Sequence, residues 1–166
     1  MKVLVVSLNN AVGKSAIALE LAKYLKAECI TNAAPISRTG ECVQLEAGET
    51  DVPQKHLRRK KVVFDFNLYS QDSDSRLEVI AQGCDVIVVP TLTDPQCLYL
   101  TVDTIKLFEV LKKPMMIVVN NFENWSQFET ASKYFRENLD EPKIAYIKKT
   151  TLFDRVFHQG RHWLEK

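Results

Sequence analysis

The chain has 166 residues, 46% hydrophobic and 26% charged, enough to bury a core within one domain, and these proportions exclude a disordered or fibrous chain. Its formal net charge of +1 gives no global attraction to nucleic acid or an anionic membrane, so such a partner would have to be met by a local patch. Cys29, Cys42, Cys84 and Cys97 form no C-x-x-C pair, which reads as four reduced thiols and argues against a zinc site.

Met1-Lys2 runs straight into Val3-Leu4-Val5-Val6, too short an apolar stretch for a signal peptide, and no run approaches the length of a membrane span; the expectation is a cytoplasmic protein. That stretch reads as a strand. A polar turn follows through Gly13-Lys14-Ser15, where a helix begins, and leads into Ala16 to Leu25, with Ile17, Ala18, Leu21, Ala22 and Leu25 on one face. A short strand is expected near Glu28 to Thr31, and the stretch up to Lys61 reads as loop from its Asn, Pro, Ser, Thr and Gly. Three continuous apolar runs come next: Val62 to Phe66, Asp85 to Pro90 and Met115 to Asn120. Such runs suit strands covered on both faces in a parallel sheet. Helical patterns alternate with them, from Arg76 to Gln82 before Gly83 and from Gln96 to Lys112 before Pro114. Asn124 and Gln127 resemble a capping box opening a helix with Phe128, Ala131 and Phe135. Ile144 to Ile147 reads as a last strand and Leu152 to Gln159 as a short amphipathic helix stopped by Gly160. The pattern predicts one α/β domain over residues 1–166, a doubly wound, mostly parallel sheet flanked by helices, with its ligand crevice at the carboxyl ends of the strands.

Chemistry concentrates at that end. Gly13-Lys14-Ser15 stands where a helix begins, so unpaired amides, the positive end of the helix dipole, a Lys charge and a Ser hydroxyl converge, a combination suited to a Mg-nucleotide phosphate. The phosphate-loop pattern G-x-x-x-x-G-K-[ST] is met except at its first Gly, where Leu8 stands. The loop residues Asn9, Asn10, Ala11, Val12, Gly13, Lys14, Ser15 and Ala16 are the candidate binding set. Asp65 ends a buried run and would emerge beside the loop, either to hold a metal or its water, or as a strand-end Asp capping a turn. Asn120 closes Ile117-Val118-Val119 in the same way. It reads either as a purine-edge reader or, with Asn121, as a turn. Two basic zones, Arg58 to Lys61 and the C-terminal set Lys148, Lys149, Arg155 and Arg161, could meet nucleic-acid phosphates by charge; the first reads better as a solvated turn shielding a strand. Asp94-Pro95-Gln96 reads as a helix start without catalytic role.

With these residues in place the chain resembles the ParA/MinD family of deviant Walker ATPases, which includes plasmid-partition and cell-division-site proteins. Asn9 to Ser15 is similar to the family's Lys-Gly-Gly-x-Gly-Lys-[Thr/Ser] loop, Val62 to Asp65 to its second switch, and Asp85 to Thr91 and Val118 to Asn120 to its later strands. The resemblance implies ATP/ADP binding with Mg²⁺: Lys14 on the β/γ-phosphates, Ser15 on the metal, Asp65 through the metal's water shell, and Asn120 beside adenine. It also implies a homodimer formed on ATP, a ParB-like adaptor, and work in DNA partition or cargo positioning. The departures are specific. The Lys that reaches across the family's dimer is Asn9 here, the two loop glycines are Asn10 and Ala11, and near Thr31-Asn32 an amide stands where the first-switch Asp is expected. These changes remove more from hydrolysis than from binding, so the sequence reads as a weak or slow ATPase. The alternative is a non-catalytic interaction module with a degenerate pocket, and a metabolic ligase or kinase on the same scaffold is a third reading.

Overall fold

Apolar runs with no alternation can be satisfied only where both sides of a strand are covered, and the chain meets that demand with one sheet between two helical layers. The computed structural model describes residues 1–32, 42–45, 51–68 and 75–149. In chain order the elements are β1 (Lys2–Ser7), α1 (Lys14–Leu25), β2 (Glu28–Thr31), β3 (Cys42–Gln44), α2 (Gln54–Leu57), β4 (Val62–Asn67), α3 (Ser75–Gly83), β5 (Val86–Thr91), α4 (Pro95–Glu109), β6 (Met115–Phe122), α5 (Trp125–Asn138) and β7 (Ile144–Lys148). The strands lie in the order β3-β2-β4-β1-β5-β6-β7, and every described pairing is parallel. The predicted mostly parallel doubly wound sheet is therefore present.

Strand parity sorts the core into two layers. Leu4, Val6, Phe64, Ile87, Val89, Ile117 and Val119 face α3, α4 and α5, while Val3, Val5, Val63, Val88 and Val118 face α1. Each fully buried Val, Leu, Ile or Phe contributes about 1.5–3 kcal/mol. After β1 the chain moves toward β2, and after β4 it moves toward β5. The carboxyl ends of these two neighbours therefore form the topological switch point, where a crevice opens.

The structure corrects the sequence expectation in several places. The stretch read as loop before Lys61 contains β3 and α2, and its Leu45 and Val52 are buried in the larger core. Isolated apolar residues in a polar stretch have no period to betray them. Asp85 lies just outside its strand and accepts from the Lys2 amide at 2.7 Å. The long helix stops at Glu109, three residues short of the predicted end, because Lys112 turns to φ 51° before Pro114. β6 runs on to Phe122 through an irregularity at Asn121, where φ is 57°. The predicted helix from Leu152 to Gln159 lies outside the described residues.

Local signals account for the helix starts. Asp94 caps α4, its Oδ1 accepting from the Cys97 amide at 3.0 Å with Pro95 in the first turn. Hydrogen bonds from the Cys97 thiol and then from the Cys97 amide hold the Asp94 carboxyl below the ordinary carboxylate range. Asp94→Ala is expected to lower the unfolding free energy by about 1 kcal/mol in urea denaturation. Asn124 and Gln127 form the predicted capping box at α5. All four cysteines are free, and burial pushes the Cys84 thiol up to about 12 and the Cys97 thiol to about 11, so both stay protonated at neutral pH. Among the described residues no helix is long and apolar enough to cross a membrane.

Candidate functional site

The turn from β1 to α1 is bent by backbone conformations that side chains resist. Gly13 sits at φ 88° as the N-cap of α1, and the cap has no side-chain hydrogen bond, so the first-turn amides face the crevice. A Cβ on Gly13 would stand 2.5 Å from Asn120 Nδ2, so both the φ and the close approach require glycine. Ala11 adopts φ 57°, holding without glycine a left-handed conformation that glycine adopts freely. Ala11→Gly should raise stability by about 0.5–1 kcal/mol, measured as a shift in the urea midpoint.

Two side-chain amides pin this loop from below. Asn120 donates from Nδ2 to the Val12 carbonyl at 2.9 Å, and Asn9 donates from Nδ2 to the Cys97 carbonyl at 3.0 Å. Asn9 is 5% exposed, so it is turned inward onto the start of α4. The residue standing where the resembled family has its cross-dimer lysine thus anchors the loop to its own chain. Asn120 lies on the α1 side of β6 because it is two residues from Val118, and Asn121 takes the left-handed position beside it.

Lys14 and Asp65 are the charged pair of the site. Lys14 is buried and its ammonium donates to the Asn9 carbonyl. Burial lowers its pKa, while Asp65 pulls it back up. Asp65 is 2% exposed. Val63 faces α1, so parity sends Asp65 to that same side, under the loop. Its Oδ2 accepts from the Thr31 hydroxyl at 3.1 Å, while Oδ1 is buried with no hydrogen-bond partner. Burial raises its carboxyl above the ordinary range, and the nearby Ser15 and Thr31 hydroxyls and the Lys14 charge pull it down. An orphaned carboxylate oxygen, a Ser hydroxyl and a row of free helix amides are hard oxygen and N–H groups of the kind that suit a hydrated Mg²⁺ on a phosphate. The residues therefore fit that group.

Thr31, a partner of Asp65, was not singled out in the sequence. The signal was its place as the last residue of the Cys29-Ile30-Thr31 run, one pairing step from Asp65 across β2 and β4. The Asn32 amide, at the expected first-switch position, is engaged elsewhere: Oδ1 accepts from the Asn67 amide at 2.8 Å and Nδ2 donates to the Asn67 carbonyl at 3.3 Å.

Four described side chains of the two basic zones are engaged within the chain itself. At the amino ends of the strands, opposite the loop, Arg59 pairs with Glu28 at 3.0 Å and Lys61 donates to the Leu25 carbonyl at 3.0 Å. In the second zone Lys149 pairs with Glu123 at 2.7 Å, and Lys148 stands 5.9 Å over the Trp125 ring. Arg155 and Arg161 lie outside the described residues, and so do residues 33–41.

This sheet order, with a Gly-Lys-Ser loop at its switch point, is the fold of the MinD/ParA class of P-loop ATPases. The chain matches apo McdA from Cyanothece with a TM-score of 0.69 at 12% identity, over 96% of this chain and 90% of that one. It matches MinD in the Aquifex aeolicus MinC:MinD cell-division complex with a TM-score of 0.68 at 12% identity, over 95% and 85%. The septum site-determining protein MinD from Pyrococcus horikoshii, complexed with Mg-ADP, gives 0.64 at 12%, over 96% and 85%. No family model and no curated protein matches the sequence. At this identity the likeness is one of fold.

Proposed function

We propose that the chain is a ParA-like nucleotide-binding protein that takes ATP with Mg²⁺ at the loop from Asn9 to Ala16. The observation that carries this reading is the buried pair under the first turn of α1: Lys14, and Asp65 with its unpartnered Oδ1. A bound Mg-nucleotide would supply the polyphosphate charge that this site is arranged to neutralise. Lys14 would exchange the Asn9 carbonyl for β/γ-phosphate oxygens, Ser15 would ligate the metal, and Asp65 would hold a water of the metal's shell through Oδ1. Asn120 supports the loop from below, and to face adenine its amide would have to release the Val12 carbonyl.

Hydrolysis is proposed to be weak. Asn9 brings no positive charge to a phosphate and its amide is occupied by Cys97, while Asn32 is occupied by Asn67. Loss of one such transition-state group costs on the order of 10³-fold in rate. Dimerisation on ATP, a ParB-like adaptor and cytoplasmic work in DNA partition or cargo positioning complete the proposal and rest on the sequence resemblance. DNA contact through Lys148 has less charge to draw on, since Lys149 is paired with Glu123. The inward-turned Asn9 also favours the second reading, a non-catalytic module that keeps the fold. Calorimetric titration with Mg-ATP, run beside a phosphate-release assay, tests both. Binding with little release is the expected result, no binding overturns the proposal, and rapid turnover overturns the weak-hydrolysis part.

A further inference from the structure

Two of the cysteines, distant in the chain, are set side by side by the sheet. Cys29 of β2 and Cys42 of β3 are direct register partners on neighbouring parallel strands. Both lie on the α1 side of the sheet, Cys29 within that core layer and Cys42 packed against it. Neighbouring strands run about 4.8 Å apart, inside the Cα separation of about 4.4–6.8 Å that a disulfide accepts. Two Cβ atoms leaving the same face keep roughly the strand spacing, so a bond asks them to close by less than about 1 Å. β3 can yield that much: it has three residues, stands at the edge of the sheet and is paired with β2 alone among the described strands. The two positions are unequally accessible, Cys29 being 2% exposed and Cys42 half-buried. Cys84 lies in the opposite core layer and Cys97 in the first turn of α4.

We propose that Cys29 and Cys42 are a redox modification site, closing to a reversible disulfide when the protein meets a hydroperoxide. The more accessible Cys42 sulfur attacks one oxygen of hydrogen peroxide, the O–O bond breaks, and a sulfenic acid forms while the other oxygen leaves as water. The buried Cys29 sulfur then attacks the Cys42 sulfur, its S–O bond breaks, and a second water leaves. Over both steps the two thiols give up two electrons and two protons, and the peroxide becomes two waters. A bond closed against the strand spacing is strained, and strained disulfides are the readily reduced ones, so a dithiol opens it again by exchange and is itself oxidised. Closure latches the edge strand beside the Asp65 pocket. Thr31, two residues beyond Cys29, accepts the Leu45 amide on its carbonyl at 2.8 Å and donates its hydroxyl to Asp65 at 3.1 Å. The latch does not depend on which ligand that pocket takes.

The test treats the reduced full chain with hydrogen peroxide under native conditions, quenches with acid, alkylates the remaining thiols in denaturant and maps peptides by mass spectrometry. The expected result is a peptide pair joined through Cys29 and Cys42, with Cys84 and Cys97 alkylated, and return of all four alkylated thiols after dithiothreitol. Amide hydrogen exchange at Leu45 should slow in the oxidised chain. In Cys29→Ser, dimedone should trap a sulfenic acid at Cys42. A Cys42 sulfinic acid beside an alkylated Cys29, a link to Cys84 or Cys97, a link between two chains, or four alkylated thiols after peroxide would overturn the proposal, and the mapping of the parent chain decides this whether or not the variant folds. Unchanged exchange at Leu45 in a chain that carries the bond would overturn the latching of β3.

Discussion

Lys14→Ala is expected to weaken the binding of Mg-ATP about a thousandfold in a calorimetric titration while the far-ultraviolet circular dichroism of the folded chain is retained. The lysine stands at the start of α1, buried under the loop, and donates to the Asn9 carbonyl. A unit charge about 4 Å from a phosphate oxygen is worth about 4 kcal/mol at an effective dielectric of 20, which is about a thousandfold in Kd. The helix amides and Ser15 remain in the variant, so residual binding in the millimolar range is compatible with the proposal. Unchanged affinity would remove Lys14 from the site and the nucleotide reading with it.

The double variant Lys14→Met, Asp65→Asn is expected to unfold at higher temperature than the parent chain, gaining about 1–4 kcal/mol, while showing no thermal shift with Mg-ATP. Both groups are held buried at a cost in the unliganded chain, and each partly compensates the other. Removing one alone leaves the other exposed to the full penalty, so each single variant should be less stable than the double. The pH dependence follows from the signs. Asp65 has a folded pKa raised above its ordinary 3.8, so its stabilising contribution is fully present below that value and is lost as pH rises through the folded pKa. Lys14 has a folded pKa lowered from 10.5, so stability recovers as pH climbs through it toward that value. Urea unfolding of the parent should therefore show a loss of stability on leaving the acid range, and the double variant should lack this component. Equal pH profiles for the two proteins would refute the assignment.

Much of the frame could be read from the residues because strong local signals agreed with the final packing. Val62-Val63-Phe64, Val86 to Val89 and Ile117 to Val119 are strands buried on both faces, and their uninterrupted apolar character reported this before any contact was known. The capping box at Asn124 and Gln127 and the proline start at Pro95 were likewise legible, because capping is a local interaction. Leu45 and Val52 were not, since a single buried side chain in a polar stretch carries no period.

By itself, then, the sequence determined the α/β alternation, the loop at the head of α1, and the place of Lys14 and Ser15 at the start of a helix, whereas Asp65 and Asn120, read as strand ends, lie two residues inside β4 and β6. Tertiary structure alone decided what those side chains touch. Parity turned Asp65 toward the α1 side, where pairing set it against Thr31 and left one oxygen unpartnered. Asn9 reads in one dimension as a lost lysine, and in three as a buried anchor on the Cys97 carbonyl, 88 residues away in the chain. Contacts between residues that far apart depend on how the strands are ordered, and no local pattern encodes that order.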